Sequence, residues 1–229
     1  MARILSLESS TNLCSVGLSE EGKTIGLKEE WSAKYIHSEK LHVFIDALMR
    51  EHKLEYNQLD AIAVGKGPGS YTGLRIGVSA AKGFAYALGI PLISIDGLEN
   101  LVNGYLHEHS LADDALLVPM LDARRMEVYQ AVFNTEGERI TPITAKIIEE
   151  DSYVEWSDKL LYLLGDGAEK CKSILGEKHI QYPDCKFPNA SSLGQLAFEK
   201  YQSKTFEDVA YFEPFYLKDF VAGKPKKLL

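Results

Sequence analysis

Apolar and polar residues alternate over residues 2 to 8, 13 to 19 and 23 to 31, the period-two pattern of half-buried strands. Glu20-Glu21-Gly22 separates the last two and predicts a tight turn, so the three strands form a meander. The period then changes. Residues 37 to 52 predict a helix, 60 to 64 a short apolar strand, the run after a Gly-rich turn a second helix, and 91 to 95 a further strand. The second half predicts strands over 115 to 121, 126 to 134, 139 to 148 and 160 to 164, a short helical piece near 151 to 156, and helices over 167 to 176 and 191 to 203. Each half is a three-stranded meander followed by alternating helix and strand.

Local echoes support a duplication. Leu7-Glu8 followed by Ser15-Val16-Gly17-Leu18 has a counterpart in Leu121-Asp122 followed by Tyr129-Gln130-Ala131-Val132, and Val64-Gly65-Lys66-Gly67 a fainter one in Leu164-Gly165-Asp166-Gly167. A duplicated unit of this kind is the plan of the actin, sugar-kinase and heat-shock ATPase superfamily, the ASKHA fold. The expected architecture is α/β, with two ribonuclease-H-like halves over 1–105 and 106–229, each a mixed sheet with flanking helices. In that plan a cleft lies between the halves, and an acidic residue ends the first strand of each. Glu8 and Asp122 stand at those places.

The stretch from Gly65 to Gly77 holds five glycines and a proline in thirteen residues, leaving few side chains at the bend between strand and helix. Such a bend lets a backbone approach something closely. It is not a Walker loop, because Gly73 is followed by Leu74-Arg75 rather than Lys-Ser/Thr. The dinucleotide fingerprint also fails, since Thr72 stands where the third glycine or alanine belongs. The remaining readings are a bare turn, a phosphate or cleft contact, and a partner surface. Candidates for the cleft are Glu8, Ser9, Ser10, Thr11, Gly67, Gly69, Ser70, Arg75, Asp122, Arg124 and Arg125.

The helix that follows leaves two readings, a surface for a partner or a helix buried wholly within the chain. From Gly73 to Gly89 the only charged side chains are Arg75 and Lys82, so apolar and small residues occupy nearly the whole circumference. Such a helix needs cover on two sides. Its own sheet supplies one, and the preceding helix part of the other. Gly73 and Gly77, four apart, notch one stripe and would admit another helix. The expected interface comprises His37, Leu41, Phe44, Ile45, Leu48, Tyr71, Thr72, Gly73, Leu74, Ile76, Gly77, Ala80, Ala81 and Phe84. An ordinary interface buries about 800 Å² per partner, which this helix pair could supply.

Composition narrows the function classes. The chain has 229 residues, enough for a substantial core, with no export signal and no apolar run that spans a bilayer, so the expectation is a cytoplasmic protein without membrane contact. Three scattered cysteines, Cys14, Cys171 and Cys185, predict reduced thiols. A net charge of −8 argues against this chain alone gripping nucleic acid, and Lys218, Lys224, Lys226 and Lys227 read as a solvated tail. Ser9, Ser10 and Ser70 lack a nucleophile signature. Asp122, Arg124, Arg125 and Glu127 form the best charged cluster and are expected to be held in ion pairs, and the histidines to lie at the surface or at caps.

Four blocks carry a definite resemblance: Ile4-Leu5-x-Leu7-Glu8-Ser9-Ser10, the run from Gly67 to Gly77, Asp122-Ala123-Arg124-Arg125-x-Glu127-Val128-Tyr129, and Pro214-x-Tyr216-Leu217. In this order, over nearly the whole chain, they resemble the TsaB family, also called YeaZ. The resemblance departs at Glu8, where the family more often has aspartate. It implies a noncatalytic subunit that binds and activates a catalytic paralogue, TsaD, with the ATPase TsaE, in placing a threonylcarbamoyl group on the adenosine next to the anticodon of certain tRNAs. It also implies tRNA contact only through the complex, no metal, and no cofactor beyond ATP or ADP at the heteromeric interface, and leaves open a homodimer or a monomer for the chain alone. The paralogue holds a metal with His-x-x-x-His after the strand that follows the Gly-rich turn, and this chain has Gly97 and Leu101 there. The rival class is a stand-alone phosphotransferase or metallopeptidase of the same superfamily.

Overall fold

A computed structural model describes residues 1–218; Lys224, Lys226 and Lys227 of the basic tail lie outside the described residues. In the first half, β1 (Arg3–Glu8), β2 (Leu13–Glu20) and β3 (Lys23–Trp31) form the antiparallel meander, and β4 (Ala61–Gly65) and β5 (Leu92–Ile95) extend it in parallel, giving the order β3-β2-β1-β4-β5. β1 and β4 are covered on both faces; β4 reads as a continuous short apolar run, while β1 is buried beyond Arg3 with Ser6 interrupting its apolar residues. The edge strand β3, with one face wet, keeps its alternation. In the second half β6 (Leu116–Asp122), β7 (Glu127–Gln130), β8 (Thr144–Ile147), β9 (Leu161–Leu164) and β10 (Ile180–Gln181) form a second mixed sheet, ordered β10-β9-β6-β7-β8.

Helices α1 (His37–Glu51) and α2 (Tyr71–Leu88) pack on one face of the first sheet, where Leu41, Ile45, Leu48, Val78 and Ala81 join Leu5, Leu7, Val16 and Val64 in one core. On the second sheet, α4 (Ala168–Leu175) sets Ala168 and Cys171 against Val118 and Met120. The two remaining helices cross over. α3 (Gly97–Glu108), which follows the first sheet in sequence, buries Leu98, Leu101, Val102 and Tyr105 against Leu117, Leu121 and Leu164 of the second. α5 (Ala190–Gln202), late in the chain, packs Leu193, Leu196 and Ala197 on Ile4, Ala63 and Ile95 of the first. A division at 105/106 therefore separates the strands but not the helices that cover them.

The period changes of the sequence match most of these elements. Two predicted strands are shorter than expected: 126 to 134 and 139 to 148 reduce to β7 and β8. The cause is local. Thr141 Oγ1 takes the Val132 N–H at 2.8 Å, and Phe133 turns to exchange backbone hydrogen bonds with Leu117 at 2.8 and 2.9 Å. Helix α3 and the two-residue β10 are absent from the sequence-based expectation. α3 nonetheless carries its own signal, because Asp96 caps it by accepting from Leu98 N at 2.8 Å and Glu99 N at 3.3 Å.

The chain after α5 returns across the molecule. Glu207 N donates to Leu92 O at the β5 edge (2.8 Å), and Lys82 Nζ of α2 donates to the carbonyls of Ala210 (3.2 Å) and Phe212 (2.8 Å). Phe215 N then reaches Lys66 O at 2.8 Å, and Lys218 pairs with Glu127 of the second half. The second cover that α2 requires is supplied partly by α1 and partly by this segment. Among the described residues no helix is long and apolar enough to cross a membrane.

Candidate functional site

The Gly-rich bend leaves β4 at Gly65, passes Gly67 with φ of 101°, and enters α2 at Ser70, whose hydroxyl accepts from Gly73 N at 3.2 Å. Its glycines are explained by the turn after β1. A Cβ at Gly69 would lie 2.3 Å from Ser10 O, at Gly73 2.1 Å from Ser9 O, and at Gly77 2.1 Å from Ser9 Oγ. Ser9 Oγ donates to Gly73 O at 2.9 Å and Ser70 N to Ser10 O at 2.7 Å. The notch expected to admit a partner helix is filled by the chain's own turn. Gly73 and Gly77 are therefore corrected from interface to internal packing.

The same correction applies to much of the expected interface. His37, Leu41, Ile45, Leu48, Leu74 and Ala81 are buried within the chain, because they form the face that α1 and α2 turn to the sheet. His37 is neither a surface nor a capping histidine. Its Nε2 lies 3.3 Å from Leu13 O, Nδ1 has no partner among the described residues, and burial lowers its pKa against the backbone hydrogen bonds that favour its charged form. Phe44, Tyr71, Ile76, Ala80 and Phe84 are half-buried and Thr72 is exposed. Beside them the outward face shows Val43, Ser79, Gly83 and Tyr86, with open space at the Gly83 Cβ position.

The two strand-end acids have opposite surroundings. Glu8 is fully buried. Its carboxylate accepts from Ser10 N at 2.8 Å and from Asn100 Nδ2 at 3.4 Å, and a Cβ at Gly65 would lie 2.1 Å from its Oε2. No cation pairs with it among the described residues. Burial raises its pKa, opposed by the Ser10 and Asn100 hydrogen bonds. Asn100 also donates to Asn189 O at 3.0 Å and accepts from Ser192, so α3 and α5 are tied together beneath the acid. The turn residues do not fit a phosphate. Ser10 N is taken by Glu8, Leu13 N by Thr11 Oγ1 at 3.3 Å, and Ser10 O by the Gly-rich bend, which closes the space between the two turns.

Asp122, by contrast, is exposed at the β6–β7 turn, with its Oδ1 2.5 Å from Lys170 Nζ of α4. Glu127 pairs with Lys218, and Asp122 N donates to Asp166 at 2.9 Å. Burial raises the Asp166 pKa to about 6. Ion pairing of the whole cluster is corrected here. The acids take lysines from distant elements, whereas Arg124 and Arg125 make no ion pair among the described residues and stand exposed. Arg75, also exposed, lies over the Tyr71 ring at 4.1 Å and donates from Nε to Tyr216 OH at 3.3 Å. Sequence reading placed Asp122, Arg124 and Arg125 together. It missed Asn100, Lys170 and the role of Tyr216, whose partners are far away in the chain.

The family described as TsaD, tRNA N6-adenosine threonylcarbamoyltransferase, matches residues 31–225. The tRNA threonylcarbamoyladenosine biosynthesis protein TsaB of Haemophilus influenzae is 29% identical over 96% of this chain and 95% of its own length. YeaZ from Pseudomonas aeruginosa superposes with a TM-score of 0.80 at 26% identity, covering 95% of this chain and all of that one. The chain belongs to the TsaB (YeaZ) family. An inorganic polyphosphate/ATP-glucomannokinase from Arthrobacter, 9% identical with a TM-score of 0.52 over 89% of this chain and all of that one, shares the fold alone. The two mixed sheets with flanking helices are the ASKHA architecture expected from the repeated element order. In this TsaB-family chain Gly97 and Leu101 are both buried, with Gly97 against Gly67 O and Leu101 in the core under the second sheet. Among the described residues no three His, Cys, Asp or Glu side chains converge as a metal set.

Proposed function

We propose that the chain is a noncatalytic subunit that binds the TsaD paralogue and, with the TsaE ATPase, activates it for transfer of a threonylcarbamoyl group to N6 of the adenosine next to the anticodon in tRNAs. The observation that carries the reading is the chemistry at positions 97 and 101: relatives are named for this tRNA modification, and this chain has a buried glycine and a buried leucine at the two places where the resemblance puts the paralogue's metal-binding histidines. Glu8 supports it, since a carboxylate sealed by Ser10, Asn100 and Gly65 is out of reach of a substrate. The chain acts by population shift: it binds the competent conformation of its partner more tightly, and each ~1.4 kcal/mol of preference moves the equilibrium about tenfold.

The docking face is the outward remainder of α1 and α2, centred on Val43, Phe44, Ile76, Ala80, Gly83 and Phe84. A second copy of the chain uses this face when the partner is missing, and any nucleotide sits at the heteromeric interface rather than in the turn after β1. Gly77 is a poor probe of this face, because any side chain there strikes Ser9. Val43→Glu with Gly83→Glu is a clean one: both positions are exposed, and replacing a helical glycine favours the helix by up to about 1 kcal/mol. The double variant is expected to keep its thermal unfolding midpoint while losing coelution with TsaD in size-exclusion chromatography and losing tRNA modification. Assembly and activity equal to wild type would discard the reading. So would brisk ATP turnover or hydrolysis by the chain alone.

A further inference from the structure

We infer that the β6–β7 turn, together with the tail segment that reaches it, forms a contact surface for an RNA strand. The inference rests on the reading above, which brings a tRNA to the assembly, and adds that this chain touches the RNA itself. Asp122 and Glu127 in the turn are neutralised by Lys170 and Lys218, leaving Arg124 and Arg125 as two exposed, unpaired guanidiniums among the described residues. Both hold left-handed backbone, with φ of 71° and 52°. Side chains other than glycine, asparagine and aspartate carry a cost of about 1 kcal/mol there, so the local backbone does not ask for arginine.

The cations continue beside aromatic faces. Lys218 has its Nζ 5.8 Å from the ring centre of Tyr129, on the strand that leaves the turn carrying Arg124 and Arg125. Two residues up the tail, the Tyr216 ring meets the Tyr71 ring at 4.9 Å, with Arg75 over Tyr71 and bonded to the Tyr216 hydroxyl. One rim thus runs from Arg75 and the Tyr71–Tyr216 pair through Lys218 and Tyr129 to the turn that carries Arg124 and Arg125. Phosphates pair with such cations while unstacked bases find the ring faces, the combination that holds single-stranded nucleic acid. The overall charge of −8 repels RNA from the rest of the chain and so confines contact to this rim. An acidic peptide would use the cations alone.

The test measures fluorescence anisotropy of a labelled anticodon stem-loop RNA titrated with the full chain, alone and mixed with TsaD, at several salt concentrations. Arg124→Glu with Arg125→Glu is expected to weaken RNA binding at least tenfold and to lower the slope of log affinity against log salt by about 1.4, two single-strand phosphate contacts at ~0.7 each. Arg124→Lys with Arg125→Lys restores most of the binding. Lys178→Glu with Lys204→Glu, an equal change of charge at exposed sites in other segments, leaves binding within about twofold of wild type. Coelution with TsaD is unchanged in all three variants. The inference is overturned if the wild-type chain binds no RNA in either setting, if the glutamate pair leaves affinity and salt slope as they were, or if the distant pair has the same effect. Failure of the wild-type chain to coelute with TsaD refutes the subunit reading instead, since the arginine result is read on the isolated chain as well.

Discussion

Glu8 and Asp122 end the first strand of their respective meanders, and each is followed by a chain segment that returns near it through a Gly-x-Gly bend. One is sealed in the core against Gly65, Ser10 and Asn100, without a cation among the described residues. The other stands at the surface, bonded to Lys170 and flanked by two unpaired arginines. The difference lies in what approaches each acid. Toward Glu8 the Gly65 backbone comes so close that a Cβ would overlap the carboxylate. In the second half the equivalent Gly165 approaches the Met120 carbonyl instead, 2.2 Å from its Cβ position. The same topology therefore holds one acid as a packing element and the other as part of a polar rim.

The largest expected effect breaks that contrast at the glycines. Gly165→Ala, with φ of 100° and a backbone carbonyl in the way, is expected to destabilise by more than about 3 kcal/mol. Gly65→Ala, which meets only a side chain, should cost about 2 to 3 kcal/mol. Denaturant unfolding of double mutants then separates them: Glu8→Ala should offset about 1 to 2 kcal/mol of the Gly65→Ala cost, whereas Asp122→Ala should leave that of Gly165→Ala unchanged. Equal coupling in both halves would erase the distinction.

A smaller effect comes from pH. The Glu8 pKa is raised in the folded state, so its contribution is fully present below its ordinary value of 4.5 and is lost as pH rises through the folded value. Wild-type stability is expected to fall as pH rises above 4.5, and Glu8→Gln to remove part of that fall. A residual decline between about pH 4 and 6 belongs to Asp166, raised from 3.8 to about 6. An unchanged slope in Glu8→Gln would show that this carboxyl is solvated. The smallest effect is at the exposed acid: Asp122→Asn keeps the acceptor for Arg124 N and loses only a surface pair with Lys170, a change of less than about 1 kcal/mol.

The element order was legible because strand and helix periods are local. The first meander, the Gly-rich bend and helices α1, α2, α4 and α5 lie where the pattern places them, within a residue or two, while the later strands of the second meander are shorter than their patterns. α3 carries a local signal too, in the cap at Asp96 and the spacing of Leu98, Leu101, Val102 and Tyr105, although the sequence-based expectation did not include it. The glycine notch on α2 was visible, and its occupant was not: Ser9 lies 64 residues from Gly73. Likewise the acids of the β6–β7 turn find lysines 48 and 91 residues away, pairings that no local pattern announces.

By itself, the amino-acid sequence determined the order of strands and helices, the family, and the glycine and leucine at positions 97 and 101, because each is carried by neighbouring residues or by residue identity. Only the tertiary structure decided which acid is buried, what fills the glycine notch, which face of α1 and α2 remains outward, and which arginines stand unpaired. Burial and charge neutralisation depend on segments brought together from opposite ends of the chain, and a carboxylate's chemistry follows from the atoms within a few ångströms of it.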